Sequence, residues 1–149
     1  MNSCLIGHTG FVGKNLKLSK NFTNKFNSRN IEKISKKYKL IVCAGASGWM
    51  YLANKYPKKD NKNIKKLINN LKKTSADYFI LISTIQVLKN LKGNENNEKF
   101  DKSSTYRKNR LLLENFCKKH FKNCYILRLP SLFGYGLNKN LIFDIFNPV

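Results

Sequence analysis

Met1-Asn2-Ser3-Cys4-Leu5-Ile6 runs straight into Gly7-His8-Thr9-Gly10-Phe11-Val12-Gly13, after which Lys14 to Leu18 continue at helical spacing. The order implied is strand, glycine turn, helix. Glycines at 7, 10 and 13 allow a tight bend, let the backbone approach an anion closely and let the helix pack on the sheet. The helix amino terminus then presents free N–H groups and a partial positive charge to a pyrophosphate. A merely tight turn is the plainer reading, and its place as the first strand–turn–helix of the chain favours the anion-binding one.

The same alternation continues outward. Phe22 to Phe26 reads as a second strand, ending in Asn27-Ser28-Arg29-Asn30, where Ser28 or Asn30 can cap a short helix Ile31 to Lys37. Leu40 to Ala44 is a buried strand, followed by the loop Gly45-Ala46-Ser47-Gly48. Asp60 to Lys73 places Ile64, Leu67, Ile68 and Leu71 on one helical face and lysine and asparagine on the other. Tyr78 to Ile82 reads as a strand covered on both faces, with Ser83 and Thr84 at its carboxyl end. Lys89 to Ser104 is aperiodic and expected to be a loop beside the site. Tyr106 to His120 is the longest helical signal, with Leu111, Leu112, Asn115 and Phe116 expected on its buried side. Tyr125 to Leu129 is a strand closed by Pro130, and Leu137 to Phe146 a last short helix. Apolar strands alternating with helices predict an α/β fold: one domain over residues 1–149, a doubly wound parallel sheet with helices on both faces. Ligands bind such sheets beyond the carboxyl ends of the strands, where Gly7, Gly45, Thr84 and Pro130 fall.

Composition narrows the classes. The chain has 149 residues, enough for one core, and its 29 Lys plus Arg against 8 Asp plus Glu give a net charge of +21. Nucleic acid is the first partner such a balance raises. Lys, however, greatly outnumbers Arg, the lysines are scattered over helix faces such as Lys58 to Lys73, and no stacking platform is evident, so the sequence argues against nucleic acid. Cys4 and Cys43 sit in buried strands, and Cys117 and Cys124 are too far apart for a CxxC pair, so reduced thiols are expected and no zinc or disulfide framework. His8 and His120 lack metal-ligand spacing and read as structural. Trp49, Met50 and Tyr51 read as core cover in preference to ligand contacts. With no leader and no membrane-length apolar run, a soluble cytoplasmic protein is expected.

Four stretches together carry a resemblance: the G-x-x-G-x-x-G of Gly7, Gly10 and Gly13; Cys43-Ala44-Gly45-Ala46; Ile82-Ser83-Thr84 with Val87; and Tyr106-Arg107-Lys108-Asn109-Arg110 followed by Leu-Leu-Leu-Glu. Arg128-Leu129-Pro130-Ser131-Leu132-Phe133-Gly134 adds to them. The chain resembles the extended short-chain dehydrogenase/reductase superfamily, the NAD-dependent epimerase/dehydratase proteins that act mainly on nucleotide sugars. The resemblance implies a Rossmann-like fold and hydride transfer between a nucleotide sugar and NADP or NAD. It makes Tyr106 the acid/base, Thr84 the partner of the substrate hydroxyl, and Arg110 the cation beside the phenol. It puts the cofactor against Gly7, Gly10, Phe11, Val12, Gly13, Asn27, Ser28, Arg29, Ala44, Gly45, Ala46, Asn63, Ile82, Ser83, Leu129 and Pro130, besides Tyr106 and Arg110. It also implies a homodimer through the two long helices, which the lysine face of the first would oppose.

The chain departs from the pattern in four places. The family's lysine four residues after the tyrosine is Arg110 here, which still favours the phenolate by charge but does not join a proton relay. No acid stands in Asn27-Ser28-Arg29, and Arg29 suits either a 2′-phosphate or an exposed helix start, so NADP is slightly favoured over NAD. The sheet is abbreviated at one edge, and most of the substrate domain is missing after Gly134. These departures keep a second reading open, a dinucleotide-binding protein without turnover.

Overall fold

The computed structural model describes residues 2–34, 37–90, 99–134, 136–137 and 141–146. Five strands, β1 (Ser3–Ile6), β2 (Asn24–Phe26), β3 (Lys37–Cys43), β4 (Ser75–Thr84) and β5 (Cys124–Leu129), form one parallel sheet in the order β2-β1-β3-β4-β5. Between them run α1 (Phe11–Ser19), α2 (Met50–Lys55), α3 (Pro57–Leu71) and α4 (Thr105–His120), and α5 (Leu141–Phe146) follows β5. The chain leaves β1 toward β2 on one side and returns to β3 on the other. This Rossmann-like reversal opens a crevice at the carboxyl ends of β1 and β3. Among the described residues only β2 lies beyond β1, which agrees with the abbreviated edge expected.

Side-chain alternation splits the core by face. Cys4 and Ile6, Ile41 and Cys43, and Phe79 and Leu81 turn one way, onto Ile64, Leu67, Ile68 and Leu71 of α3 and Leu113 and Cys117 of α4. Phe79 stacks on Phe121 with ring centroids 3.9 Å apart. Leu5 and Val42 turn the other way with Phe22, and Leu16 of α1 packs against them. That cover reaches β4 only through the half-buried Ile80 and Ile82 and leaves Tyr78, Tyr125 and Leu127 exposed, so β4 is fully buried on one face and partly covered on the other.

Several boundaries differ from the sequence reading. The expected helix Ile31 to Lys37 is a single 3₁₀ turn, Ile31–Lys33, because the chain must re-enter the sheet at Lys37. The Asn30 amide does not cap it, accepting instead from the Asn27 N–H at 2.7 Å. Pro57 starts α3 three residues earlier than expected, and α2 precedes it unforeseen, since six residues with only Ala53 buried carry no periodic signal. On α4 the buried side holds Tyr106, Asn109, Arg110, Leu111, Leu113, Glu114 and Cys117, whereas Leu112 and Asn115 face solvent. Within Lys89 to Ser104, residues 91–98 lie outside the described residues, and a Leu88–Phe100 bridge joins the flanks. The last helix begins at Leu141, residues 138–140 also lying outside the described ones.

The thiols are free, and Cys4, Cys43 and Cys117 are buried. Burial pushes the Cys4 and Cys43 thiols up to about 12. A thiol that ionises at lower pH when unfolded stabilises the unfolded chain once it loses its proton there, so stability should fall as pH climbs from about 8.5 toward 12. Urea melts across that range should show it, and a flat profile would contradict it. Phe79→Ala, which empties a fully buried site, should cost about 3–5 kcal/mol in the same assay.

Candidate functional site

Gly7 ends β1 with φ of +86°, a backbone conformation that side chains disfavour. A Cβ there would lie 2.1 Å from the Ala44 carbonyl oxygen, and one on Gly13 would lie 2.1 Å from that of Gly7. Both obstacles are backbone, which cannot swing aside. Gly10 has ordinary room, 3.5 Å from Gly7 O, and its part is to cap α1 without a side-chain oxygen. The first turn holds no acid, and the first amide to find a helical acceptor is that of Lys14, at 2.8 Å from Gly10 O. The Phe11, Val12 and Gly13 N–H groups have no helical acceptor among the described residues and could donate to an anion.

Neighbouring segments are drawn to this turn. Gly7 N–H donates to Phe26 O at 2.7 Å, and Ala44 N–H to Ile6 O at 2.8 Å, so the ends of β1, β2 and β3 meet. Asn27 lies 3.4 Å from the His8 ring and its side-chain oxygen accepts from Arg29 N–H, fixing the loop after β2. Burial, with Lys17 and Lys25 nearby, lowers the His8 pKa. The Ser28 carbonyl takes Lys66 Nζ at 3.0 Å, while Ser28 and the Arg29 side chain are exposed. After β5, Leu129 and Pro130 lead to Gly134, where a Cβ would stand 3.8 Å from the Phe11 ring, so this segment returns over the start of α1. Ala46 packs against the core, and Gly45 faces Ile6 and Leu67.

Tyr106 and Arg110 form the second part. The Arg110 guanidinium lies 4.3 Å from the Tyr106 ring centroid. It is only 3% exposed and grips Asp60 of α3 with two bonds of 3.0 and 3.1 Å. A further N–H reaches the Ser47 carbonyl at 2.6 Å, tying α4 to the loop after β3. Asp60 also accepts from Asn109 at 2.7 Å, and Asn109 accepts from Asn61 at 3.1 Å. Arg110 Nε alone is buried with no partner among the described residues. Tyr106 is buried, and its N–H is capped by the Asn54 side chain at 3.0 Å.

At the end of β4, Thr84 Oγ1 accepts from Gln86 N–H at 3.2 Å, and the Gln86 carbonyl accepts from Arg107 Nε at 2.8 Å. The chain thus brings Thr84 and the start of α4 to the same end of the sheet, linked through Gln86. Ser83 donates to Glu114 at 2.5 Å, and Glu114 pairs with Arg128 of β5 at 2.9 Å. Ile82 packs with the second core face. Asn63 is exposed on α3 with no hydrogen bond to the glycine turn, and Asn61 joins the buried network in its place.

Asp60 and Glu114 escaped the sequence reading, although each is one of only 8 acids in a chain of net charge +21, a scarcity that could have flagged them. Trp49, Met50 and Tyr51 do not cover the core. Trp49 and Tyr51 are 54% and 71% exposed, because α2 buries only Ala53. His120 sits between Phe116 and Phe121 and meets the Thr74 carbonyl at 3.2 Å, a structural setting. Among the described residues no His, Cys, Asp and Glu cluster could hold a metal, and no helix is long and apolar enough to cross a membrane.

No family model and no curated protein matches this chain. Solved structures do. The dTDP-4-dehydrorhamnose reductase of Bacillus anthracis, in complex with NADP, superposes with a TM-score of 0.74 at 16% identity, over 99% of this chain and 59% of its own. The dTDP-4-dehydrorhamnose reductase of Clostridium acetobutylicum gives 0.70 at 19% identity, with the same coverage. The protein RMD of Pseudomonas aeruginosa, complexed with NADPH, gives 0.73 at 15% identity, over 97% and 59%. The shared property is the fold. The chain spans about 59% of the length of these structures.

The buried pair makes a stability prediction. Asp60→Ala strands the Arg110 charge and should cost about 3–5 kcal/mol in urea unfolding, whereas Asp60→Leu combined with Arg110→Met should cost far less. A single variant losing under about 1 kcal/mol would show the pair to be solvated.

Proposed function

We propose that the chain binds NADP or NAD, with NADP favoured, and that it belongs to an NAD(P)-dependent epimerase, dehydratase or reductase of nucleotide sugars. The observation that carries this reading is the glycine turn. Backbone contacts admit no side chain at Gly7 or Gly13, and the first three amides of α1 lack helical acceptors at the sheet end where the strand order reverses. These residues fit a dinucleotide: Phe11, Val12 and Gly13 would hold its diphosphate, and Arg29, in a loop without an acid, its 2′-phosphate. Arg110 Nε, a buried donor without a partner, suits an acceptor from the nicotinamide ribose. The NADP and NADPH of the two solved structures lend support to the same choice.

When bound, the nicotinamide supplies or accepts hydride. Tyr106 Oη would hold the proton that a sugar oxygen gains on reduction and loses on oxidation, and Thr84 Oγ1 would orient that oxygen. The Arg110 guanidinium stands 4.3 Å from the Tyr106 ring centroid and is held there by Asp60.

A second reading, binding without turnover, draws on one observation: the Arg110 terminal nitrogens are already committed to Asp60 and the Ser47 carbonyl. Calorimetry with NADPH and NADH, followed by a nicotinamide absorbance assay with dTDP- and UDP-linked sugars, separates the two. Turnover is expected, with Gly13→Val abolishing the binding heat. Tyr106→Phe should keep the heat and lose at least about 100-fold in rate. Heat without turnover would support the second reading, and no heat with either coenzyme would overturn both.

A further inference from the structure

The outer surface of α3 is a groove of about 520 Å³ whose walls include Lys58, Lys62, Lys65, Lys66 and Lys73, with asparagines between them. Positions four and seven apart share a helix face, so these lysines form one stripe and not a scatter. From Lys58 to Leu71, its last helical residue, α3 runs about 20 Å at 1.5 Å per residue, and Lys73 follows just beyond it. Lys66 has a carboxylate nearby, Glu32 at 3.6 Å, whereas Lys58, Lys62 and Lys65 have none among the described residues.

Immediately before this groove the chain exposes three aromatic rings. Trp49, Tyr51 and Tyr56 are 54%, 71% and 50% exposed, Tyr51 on α2 and the other two flanking it, and α2 buries only Ala53. The Lys55 ammonium lies 5.6 Å from the Tyr51 ring and 5.7 Å from the Tyr56 ring, so a cation and two π faces are held together. Tyr56 is also the residue whose carbonyl accepts the first amides of α3, from Lys59 and Asp60, which joins the rings to the lysine end of the groove.

Separately each feature is unremarkable, since lysines solvate helices and single aromatics stand on surfaces. Together they supply the two parts of a single-strand site: a cationic track for the phosphates and flat faces for unstacked bases. We infer that α2 and the outer face of α3 bind single-stranded nucleic acid, the phosphates along Lys58, Lys62 and Lys65 and the bases on Trp49, Tyr51 and Tyr56. The stripe matches the smaller known sites, of about four nucleotides. The exposed rings beside the cations favour this partner over a simple anion, which has no base to stack. The stacking platform missing from the sequence reading comes from α2, the helix the sequence did not show.

Trp49 is the one tryptophan of the chain and reports directly on stacking. Oligothymidylate of about fifteen nucleotides, titrated into the full chain, should quench its emission, and binding should weaken with salt at a slope near −2 for three phosphates. Lys58→Glu, Lys62→Glu and Lys65→Glu together should lower affinity at least about tenfold and flatten that slope. Trp49→Leu with Tyr51→Leu should also lower affinity about tenfold but leave the slope unchanged, and Trp49→Phe should restore part of it. Circular dichroism of each variant should match the parent. Unchanged Trp49 emission would overturn the inference. So would equal affinity of the aromatic variants, which leaves charge alone, or binding to phosphatidylserine vesicles without binding to the oligonucleotide.

Discussion

The close approach of two backbones, Gly7 of β1 against Ala44 after β3, governs the molecule. Because a Cβ at Gly7 would stand 2.1 Å from a carbonyl oxygen, the first and third strands can end side by side only with a hydrogen atom between them. Gly13 repeats the condition one helical turn on, bringing α1 down onto the bend. Everything at the crevice inherits its position from these contacts: the capless start of α1, the loop after β2 tethered through Phe26 O, and the loop after β3 that receives Arg110. A local steric rule becomes the geometry of an anion site.

Helix α4 shows how burial can be organised by charge in place of hydrocarbon. Arg110 and Glu114, one turn apart, face inward because each meets an opposite charge there, Asp60 from α3 and Arg128 from β5. The helix is thereby pinned at two points and its rotation set, which places Tyr106 under the guanidinium. Desolvating such groups is costly, and paired geometry recovers most of that cost without adding much stability. What the pairs supply is orientation, at the helix that carries the candidate acid/base.

Local patterns made the strands, the glycine turn and the three longer helices legible, since each is written in contiguous residues. Contacts between distant segments were not. Arg110 stands beside Tyr106 as spacing required, but its bond to Asp60, fifty positions earlier, leaves no trace in any window. Helix α4 misled because apolarity was taken for burial: Leu112 is 42% exposed while Glu114 is 1% exposed. The segment after β2 misled in the opposite sense. Asn27 and Asn30 form their own hydrogen-bonded loop, and amides that could begin a helix end one after three residues. Helix α2 lay below the threshold of any periodic signal.

The partly covered half of the sheet, where Tyr78, Tyr125 and Leu127 stand in water, has a consequence for how copies of this chain meet. Apolar surface attracts apolar surface whatever the ionic strength, and the charge of +21 is what holds copies apart. Screening acts on the second force and not the first, over about 8 Å at physiological ionic strength. Added electrolyte therefore weakens the repulsion between copies and leaves the attraction of the exposed strand residues untouched.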